Sequence, residues 1–448
     1  MGEQQPRDTR HGRPSLTERL LSPIADVHRD EVASVLLMTL LLFLMLGAYY
    51  LLKTAREVLI LTEGGAEVKS YSSAAQAVLL LALVPAYGAF ASRVSPVRLV
   101  TVVTLFFASH LALFAAALGA GVRVGVVYFL WVGIFNLMVI AQFWAFANDV
   151  YSDEQGKRLF PLIGVGGSLG AWLGAVRAGW LVEWAPPARL LVGAGVILIV
   201  CAALVPVIKR LAARSTARGR AAVDVPLARD GGFALIRSDR YLALIAALML
   251  LVNIVNTSGE YLFGRYVVEQ SYALFGGAGP DAEAARERFV GETYARLFST
   301  VNLVGFLLQA FVVSRIFRWV GVEGALFVHP IVALTGYLLM LRAPSLPLIG
   351  VLKVADNSLD YSLGNTTRQA LWLPTSREAK YKAKQAIDSF FVRAGDVTQA
   401  GIVFAGERLA FTVPAFAAVN VVLACGWLAV AAMLAATRAR RVAPSAAH

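Results

Sequence analysis

Residues 49–57 read Tyr-Tyr-Leu-Leu-Lys-Thr-Ala-Arg-Glu, and they begin inside residues 32–52, a run of twenty-one residues without a charged side chain. A run of that length crosses a bilayer core as a helix, which takes roughly 20 apolar residues. Four apolar residues follow the segment, so its three charges, Lys53, Arg56 and Glu57, are expected inside a membrane helix.

These charges are grouped on the helix surface. With 3.6 residues per turn, Lys53 and Arg56 share one face with Tyr49, and Glu57 lies at its edge. Charge at membrane depth costs about 2.5 kcal/mol or more per residue, so it normally faces a partner or a water-filled path. The sequence therefore predicts that they line a polar transport pathway. The alternative is that Lys53 and Arg56 reach back to the membrane surface, or that Glu57 only pairs with one of them.

The composition is that of a polytopic membrane protein. Of the 448 residues, 58% are hydrophobic and 16% charged, whereas a soluble protein carries about 25% charged residues. The net charge of +12 indicates topology rather than a nucleic-acid partner. Segments on the N-terminal side of the predicted membrane hold 26 Lys and Arg residues, against 7 on the opposite side. By the positive-inside rule, both termini are expected in the cytoplasm.

Uncharged or nearly uncharged runs predict an all-α fold with twelve membrane helices. The spans lie near residues 32–62, 70–92, 98–119, 123–151, 160–184, 189–209, 241–268, 290–316, 321–342, 346–373, 385–405 and 409–437. The basic stretch 210–240 separates six helices from six, which predicts two pseudo-symmetric bundles. The expected parts are a cytoplasmic tail 1–31, a first bundle 32–209, a cytoplasmic linker 210–240, a second bundle 241–437 and a cytoplasmic tail 438–448.

A short internal echo supports the two bundles. Residues 143–149 end helix four and residues 370–374 end helix ten, and each is followed by a charged segment. Glu154 and Glu378 in these segments stand 224 residues apart. Parallel six-helix repeats are the architecture of the major facilitator superfamily, which holds its substrate between the halves. Because the matching segments are short, the alternative is that their similarity arose by chance.

Helix five carries a glycine-rich stretch, residues 164–174. No strand precedes it and its spacing is not G-x-G-x-x-G, so a phosphate-binding loop is not expected. Gly166, Gly170 and Gly174 stand four residues apart and make one smooth helix face. The stretch therefore predicts close packing against another helix.

Several predicted helices besides the first carry polar or charged residues. These are Asn253, Asn256 and Glu260 in helix seven, Lys353, Asp356, Asn357, Asp360 and Arg368 in helix ten, and Arg393 and Asp396 in helix eleven. One aqueous cavity shared by these helices explains the whole set. Ion pairs that only fix helix packing are the alternative for any single residue. His110 in helix three is expected to form an interhelical hydrogen bond rather than relay protons.

The chain lacks the sequence patterns of an intramembrane enzyme. It has five histidines, two cysteines that stand alone in apolar runs, and no H-E-x-x-H motif. Neither a catalytic residue nor a metal nor a cofactor is therefore expected. The first 31 residues hold no apolar run of signal-peptide length, so the first helix is expected to remain as an anchor.

Two charged clusters lie at the predicted cytoplasmic ends of the bundles. Glu154 and Lys157 follow helix four, and Glu378 and Lys382 follow helix ten. We expect them to form salt bridges between the halves that close the cytoplasmic side in one state of an alternating-access cycle. Ordinary contacts with anionic lipids are the alternative.

Three stretches of the chain carry a family pattern. They are residues 50–59; residues 143–149, followed by Lys157-Arg158 and residues 164–166; and residues 361–395. In order and spacing they resemble the nucleotide transporter family of plastids and intracellular bacteria, the ATP/ADP exchangers. The resemblance implies a twelve-helix antiporter of facilitator type that binds ATP, with this chain as a divergent bacterial member.

The resemblance also assigns positions and shows departures. Arg56 stands where the family has a substrate-binding lysine, and Asp149 where it has an acid. Asn256 and Glu260 replace an acid and a lysine of helix seven, and Asp360 replaces a lysine of helix ten. The cavity is then about three charge units less positive than the family pattern. Since a nucleoside triphosphate needs several charge-assisted contacts, this weakens the expectation of nucleotide exchange and strengthens that of a less charged substrate.

We therefore expect a secondary transporter of a bacterial inner membrane that moves an anionic small molecule, first of all a nucleotide. The expected substrate-binding residues are Lys53, Arg56, Glu57, Asn148, Asp149, Asn256, Glu260, Asp360, Arg368 and Arg393. The substrate and the lipid bilayer are the expected partners, and a monomer is expected. Proton-coupled transport of a less charged solute and a transport-inactive scaffold or sensor are the alternatives.

Overall fold

The computed structural model describes residues 27–28, 31–91, 94–215, 232–277, 279–342, 345–376 and 378–442. Within these ranges the chain forms twelve long helical segments. They are α1 (32–64), α2 (66–91), α3 (Pro96–Gly119), α4 (Gly125–Val150), α5 (Asp153–Trp184), α6 (Pro187–Ser215), α7 (Arg240–Leu274), α8 (280–320), α9 (322–342), α10 (346–370), α11 (379–408) and α12 (Val413–Val442). The predicted all-α fold is confirmed.

Two pairs of helices are joined by a single glycine. The helix Val32–Ala91 turns at Gly65, where φ is 74°, and the continuous run 280–342 turns at Gly321, where φ is 68°. Glycine adopts these left-handed angles without the strain that a Cβ brings. The glycines therefore let α1 pass into α2, and α8 into α9, without a loop.

Eight continuous helices of the described chain are long and apolar enough to cross a membrane. Two of them hold the double spans α1–α2 and α8–α9. The more polar α10 and α11 contain π-helical turns, Asp360–Gly364 in α10 and Ala379–Ala383 and Ile387–Phe391 in α11. Such turns within α-helices are frequent at functional sites.

The glycine stripe of α5 packs against α1. A Cβ on Gly174 would lie 2.6 Å from the carbonyl oxygen of Gly47, and a Cβ on Gly170 would collide with the backbone of Phe43. A Cβ on Gly166 would likewise collide with Thr39. The prediction that these glycines serve close helix packing is confirmed.

The two halves contact each other on the side away from the N-terminus. Gln399 of α11 donates a hydrogen bond of 3.3 Å to Ser70 of α2. On the opposite flank, α5 and α8 approach so closely that a Cβ on Gly291 would collide with Val182, and one on Gly179 would lie 3.1 Å from Ala295. These contacts hold the two halves together on this side.

The predicted linker 210–240 contains more helix than expected. α6 continues to Ser215, because its alanines and arginines are good helix formers, and a short helix, Gly232–Ser238, precedes α7. Residues 216–231 and most of both predicted tails lie outside the described residues. The boundaries of the two bundles stay a prediction.

Candidate substrate site

Glu57 is the buried centre of a charged cluster on α1 and α2. It is 1% exposed, and its Oε1 accepts hydrogen bonds from the guanidinium of Arg56, one of them 3.1 Å from Nε. The turn at Gly65 brings Lys69 back onto α1, where its ammonium lies 2.6 Å from Oε2 of Glu57. Losing either cation would leave buried charge poorly compensated.

Lys69 extends this cluster into the second half of the chain. Its ammonium lies 3.5 Å from Oε2 of Glu260 on α7 and 3.3 Å from the hydroxyl of Tyr294 on α8. Oε1 of Glu260 lies 3.3 Å from the ammonium of Lys353 and accepts a hydrogen bond of 3.2 Å from Asn357. Glu260 thus links α2 with α10.

Lys353 and Asp356 continue the chain of charges along α10. Lys353 is 3% exposed and donates to the backbone and side-chain oxygens of Asn256, at 3.1 and 2.9 Å. Its ammonium lies 3.2 Å from Asp356, whose other oxygen lies 2.8 Å from Nε2 of His329 on α9. One connected network therefore spans six helices from both halves, α1, α2, α7, α8, α9 and α10.

The network is balanced in formal charge. Three cations alternate with three carboxylates: Arg56, Lys69 and Lys353 with Glu57, Glu260 and Asp356. Buried ion pairs of this kind are weak evidence for net stability. They hold the two halves in a defined relation and can exchange partners with a charged ligand.

Lys53 lies beside this network and contacts aromatic rings. Its ammonium lies 4.1 Å from the ring centroid of Phe298 on α8 and 5.3 Å from that of Tyr50. Among the described residues, no carboxylate lies within 4.0 Å of it. Cation–π contacts stabilise an ammonium without neutralising it. Lys53 therefore contributes net positive charge to the interface between the halves.

A cavity of about 410 Å³ lies between the halves on the N-terminal side of Lys53. Helices α1, α4, α5, α8 and α10 line it. Its aromatic walls are Tyr49, Tyr50, Trp144, Phe306 and Tyr361, and its amides are Asn302 and Gln309. Tyr50 donates a hydrogen bond of 2.8 Å to Asn302 and so joins α1 to α8. Volume and lining are those of a small-molecule pocket.

Three other predicted site residues pair within their own helices. Arg368 donates a hydrogen bond of 2.6 Å to Asp360, across the π-helical turn of α10. Arg393 lies 3.3 Å from Asp396, which also accepts a hydrogen bond from Asn253 of α7. Asp396 is buried and the other three residues of these pairs are half-buried. Among the described residues, no ion pair joins them to the central network.

Asn148 and Asp149 lie apart from the network. Both are exposed, and Asp149 pairs with Lys209 of α6 at 2.5 Å. Phe129 of the same helix, α4, stacks with Arg56 at 4.6 Å. Twenty residues of helix, about 30 Å, separate Phe129 from Asp149, so the structure does not bring Asp149 to Arg56.

The predicted cytoplasmic gate is only partly described. Glu154 is exposed, Glu378 and Lys382 are half-buried, and the side chain of Lys157 lies outside the described part of the structure. The neighbouring Arg158 pairs with Glu31, at the start of α1, at 2.9 Å. A salt bridge between the halves at this end stays a prediction.

Two residues of the network, Lys69 and His329, escaped the sequence analysis. Lys69 falls in the short segment between two predicted helices, and its only signal is its place one turn after Gly65. His329 is one histidine in an apolar span. The interhelical hydrogen bond expected for His110 is wrong, since its half-buried ring bonds to the carbonyl oxygen of Phe106 in its own helix at 2.8 Å.

Residues 14–119 match the family model described as TLC ATP/ADP transporter. The match includes the first of the three stretches that carry the resemblance, and it confirms the resemblance there. No curated protein sequence matches the chain.

The fold is similar to that of solved transporters. A bacterial homologue of the human lysosomal transporter Spinster, inward-facing and unoccupied, is 15% identical with a TM-score of 0.59, over 93% of this chain and 99% of its own. The nucleoside transporter NupG is 13% identical with a TM-score of 0.59, over 90% and 98%. A bacterial homologue of the iron transporter ferroportin, inward-facing, is 13% identical with a TM-score of 0.57, over 88% and 98%.

At these identities the likeness shows the fold, and the facilitator architecture is confirmed. Together, the family match and the fold support a secondary transporter, a multi-pass membrane protein with a small-molecule substrate.

Proposed function

We propose that this chain moves an anionic small molecule across the inner membrane by alternating access, with exchange of one nucleotide for another as the first candidate. The observation that supports this most is Lys53, a cation with no acidic partner among the described residues, beside a cavity between the halves. The neighbouring network is balanced, so an anion in the cavity would meet net positive charge. Hydrogen bonds between an ammonium and a phosphate or carboxylate are among the stronger ones in proteins.

Two lysines offset part of the charge that the family departures remove. Glu260 and Asp360 stand where the family pattern has lysines, but Lys69 and Lys353 both lie within 3.5 Å of Glu260. An anion that approaches Lys53 can also recruit Lys69, since Glu57 keeps Arg56 as a partner. This supports a phosphate-bearing substrate more strongly than the sequence does.

The aromatic wall of the cavity suits a nucleobase. Tyr49, Tyr50, Trp144, Phe306 and Tyr361 face the same space as Asn302 and Gln309. Stacking of a base on an aromatic ring is worth about 1–3 kcal/mol and tolerates different bases. A nucleotide would place its base among these rings and its phosphates towards Lys53 and Arg56.

The arrangement of the halves supports alternating access from an inward-facing state. The contacts Ser70–Gln399 and Val182–Gly291 lie on the side away from the N-terminus, whereas the cavity lies on the N-terminal side. With both termini in the cytoplasm, as the distribution of basic residues predicts, the cavity faces inwards. Opening the far side requires Lys69 to separate from Glu260.

A thermal-shift screen of the purified protein tests the proposal. Nucleotides, sugar phosphates, organic anions and amino acids are compared, since a ligand that binds the native state raises the apparent melting temperature. We expect a rise with nucleotides that is lost in Lys53→Gln and kept in the matched surface variant Lys209→Gln. A rise with amino acids alone would contradict an anionic substrate, and no rise with any compound would favour a scaffold.

A further inference from the structure

His329 is a buried histidine that anion binding does not require. It lies on α9 and is 4% exposed. Its Nε2 lies 2.8 Å from Oδ1 of Asp356, and its ring packs edge-on against Trp427 of α12, with 4.8 Å between centroids. It stands at the end of the ion-pair network that reaches Glu260 through Lys353.

The surroundings of the ring decide which nitrogen can take a proton. Asp356, paired with Lys353 at 3.2 Å, is a carboxylate and can only accept. Nε2 of neutral His329 therefore carries the hydrogen, and Nδ1 keeps a lone pair. Nδ1 faces Gly364 in the π-helical turn of α10, where a Cβ would lie 3.3 Å from Nδ1 and 3.2 Å from Nη1 of Arg368. Glycine keeps this approach open.

We propose that His329 is the proton-binding site of the transporter, and that its protonation is coupled to anion binding through Asp356 and Lys353. One proton adds to Nδ1, and no other bond changes. The imidazolium then competes with Lys353 for Asp356, which frees Lys353 for Glu260 or for an incoming anion. The coupling rests on the proposed anion transport, whereas the proton site itself does not.

Charged groups of both signs lie near His329. From α10, Asp356 favours the imidazolium and Arg368 opposes it, but Arg368 is itself paired with Asp360 at 2.6 Å. From α7, Glu260 acts through Lys353. The described neighbour on α12 is Trp427, whose ring can also accept a cation. The neighbouring charges therefore act on the imidazolium in opposite directions.

The fluorescence of Trp427 reports on this proton without any substrate, because an imidazolium in contact with an indole quenches its emission. The contribution of Trp427 is the difference between the wild type and Trp427→Phe. We expect it to fall with a one-proton titration between about pH 8 and pH 5, to be independent of pH in His329→Gln, and to be unchanged in the matched control His110→Gln. A titration that persists in His329→Gln, or is absent from the wild type, would overturn the assignment.

A second variant tests whether the proton adds at Nδ1 of His329. Gly364→Ala keeps His329 and its contact with Asp356 but crowds Nδ1. We expect the midpoint of the Trp427 titration to move to lower pH. An unchanged midpoint would show that the proton does not add at Nδ1, even if His329→Gln fails to fold.

Coupling is tested in proteoliposomes with radiolabelled ADP as the probe. We expect the wild type to accumulate ADP when an inward proton gradient is imposed. His329→Gln should retain exchange of ADP for ADP and lose gradient-driven accumulation by tenfold or more. The same gradient dependence in both proteins would overturn the coupling. If the wild type does not exchange ADP, the nucleotide proposal fails, and the Trp427 titration alone decides the proton site.

Discussion

Lys69 of α2 lies 3.5 Å from Glu260 of α7, and this ion pair joins the two halves of the protein. The same ammonium holds Glu57 at 2.6 Å and Tyr294 at 3.3 Å. In an alternating-access cycle the halves move against each other around the substrate, so this pair must break and reform. An anion that competes for Lys69 would therefore shift the balance between the two states.

Removal of Lys69 is expected to destabilise the protein. Lys69→Gln leaves the buried Glu57 with one cation instead of two. Breaking a buried ion pair from one side costs about 3–5 kcal/mol. The matched control Lys209→Gln breaks the exposed pair with Asp149, and we expect a loss of at most about 1 kcal/mol. Unfolding of the purified proteins measures both, and equal losses would contradict a structural role for Lys69 in the network.

The packing of α5 on α1 predicts a position-specific effect of an added methyl group. Gly174→Ala places a Cβ 2.6 Å from the carbonyl oxygen of Gly47, so the helices must separate. Overpacking of this kind costs about 1–3 kcal/mol. A Cβ on Gly193 of α6 meets nothing within 4 Å, and Gly193→Ala serves as the control. We expect Gly174→Ala to lower the melting temperature and Gly193→Ala to leave it unchanged. An unchanged melting temperature in Gly174→Ala would show that α1 and α5 lie further apart.

The start of α1 predicts a dependence of stability on pH. Glu31 is 3% exposed and accepts hydrogen bonds from Arg158 at 2.9 Å and from Gln155 at 2.8 Å. Burial by itself raises the pKa of Glu31, but these hydrogen bonds outweigh burial, and the pKa lies below its ordinary value of 4.5. Because the folded pKa is the lower one, the stabilisation is present above about pH 4.5 and lost as the pH falls through the folded pKa.

The melting temperatures of the wild type and Glu31→Gln check this at a series of pH values. We expect the wild type to melt at a higher temperature than Glu31→Gln. The difference should be constant near neutral pH and become smaller below about pH 4.5. Arg158→Gln should cost less in the Glu31→Gln background than in the wild type, because the two residues share one interaction. If the difference in melting temperature grew as the pH fell, a lowered pKa of Glu31 would be contradicted.

The architecture could be predicted because a bilayer admits few solutions. Long uncharged runs must be helices, since no water is present to satisfy the backbone, and most observed helices begin and end near the predicted positions. Gly166, Gly170 and Gly174 were interpretable for a similar reason: their spacing alone defines a smooth face. Lys69 was missed because it follows Gly65 in a polar segment that looks like a loop.

Partners within the site could not be predicted from spacing. Lys53 and Arg56 share a helix face, yet Arg56 pairs with Glu57 while Lys53 contacts aromatic rings of both halves. His110 and His329 both interrupt apolar spans, but only His329 is buried against a carboxylate. Such differences depend on how the helices are rotated against each other, which one sequence does not reveal.

Exchange of radiolabelled ADP by proteoliposomes, in the wild type and in Lys53→Gln, tests most directly whether Lys53, between the halves, binds an anionic substrate. We expect saturable exchange in the wild type. In Lys53→Gln, kcat/KM should fall by about tenfold or more, because a hydrogen bond to a charged group contributes about 1.5–3 kcal/mol. The melting temperature should stay unchanged, since Lys53 has no ion pair among the described residues. Equal exchange by both proteins, or no saturable flux of any nucleotide or organic anion, would contradict the proposal.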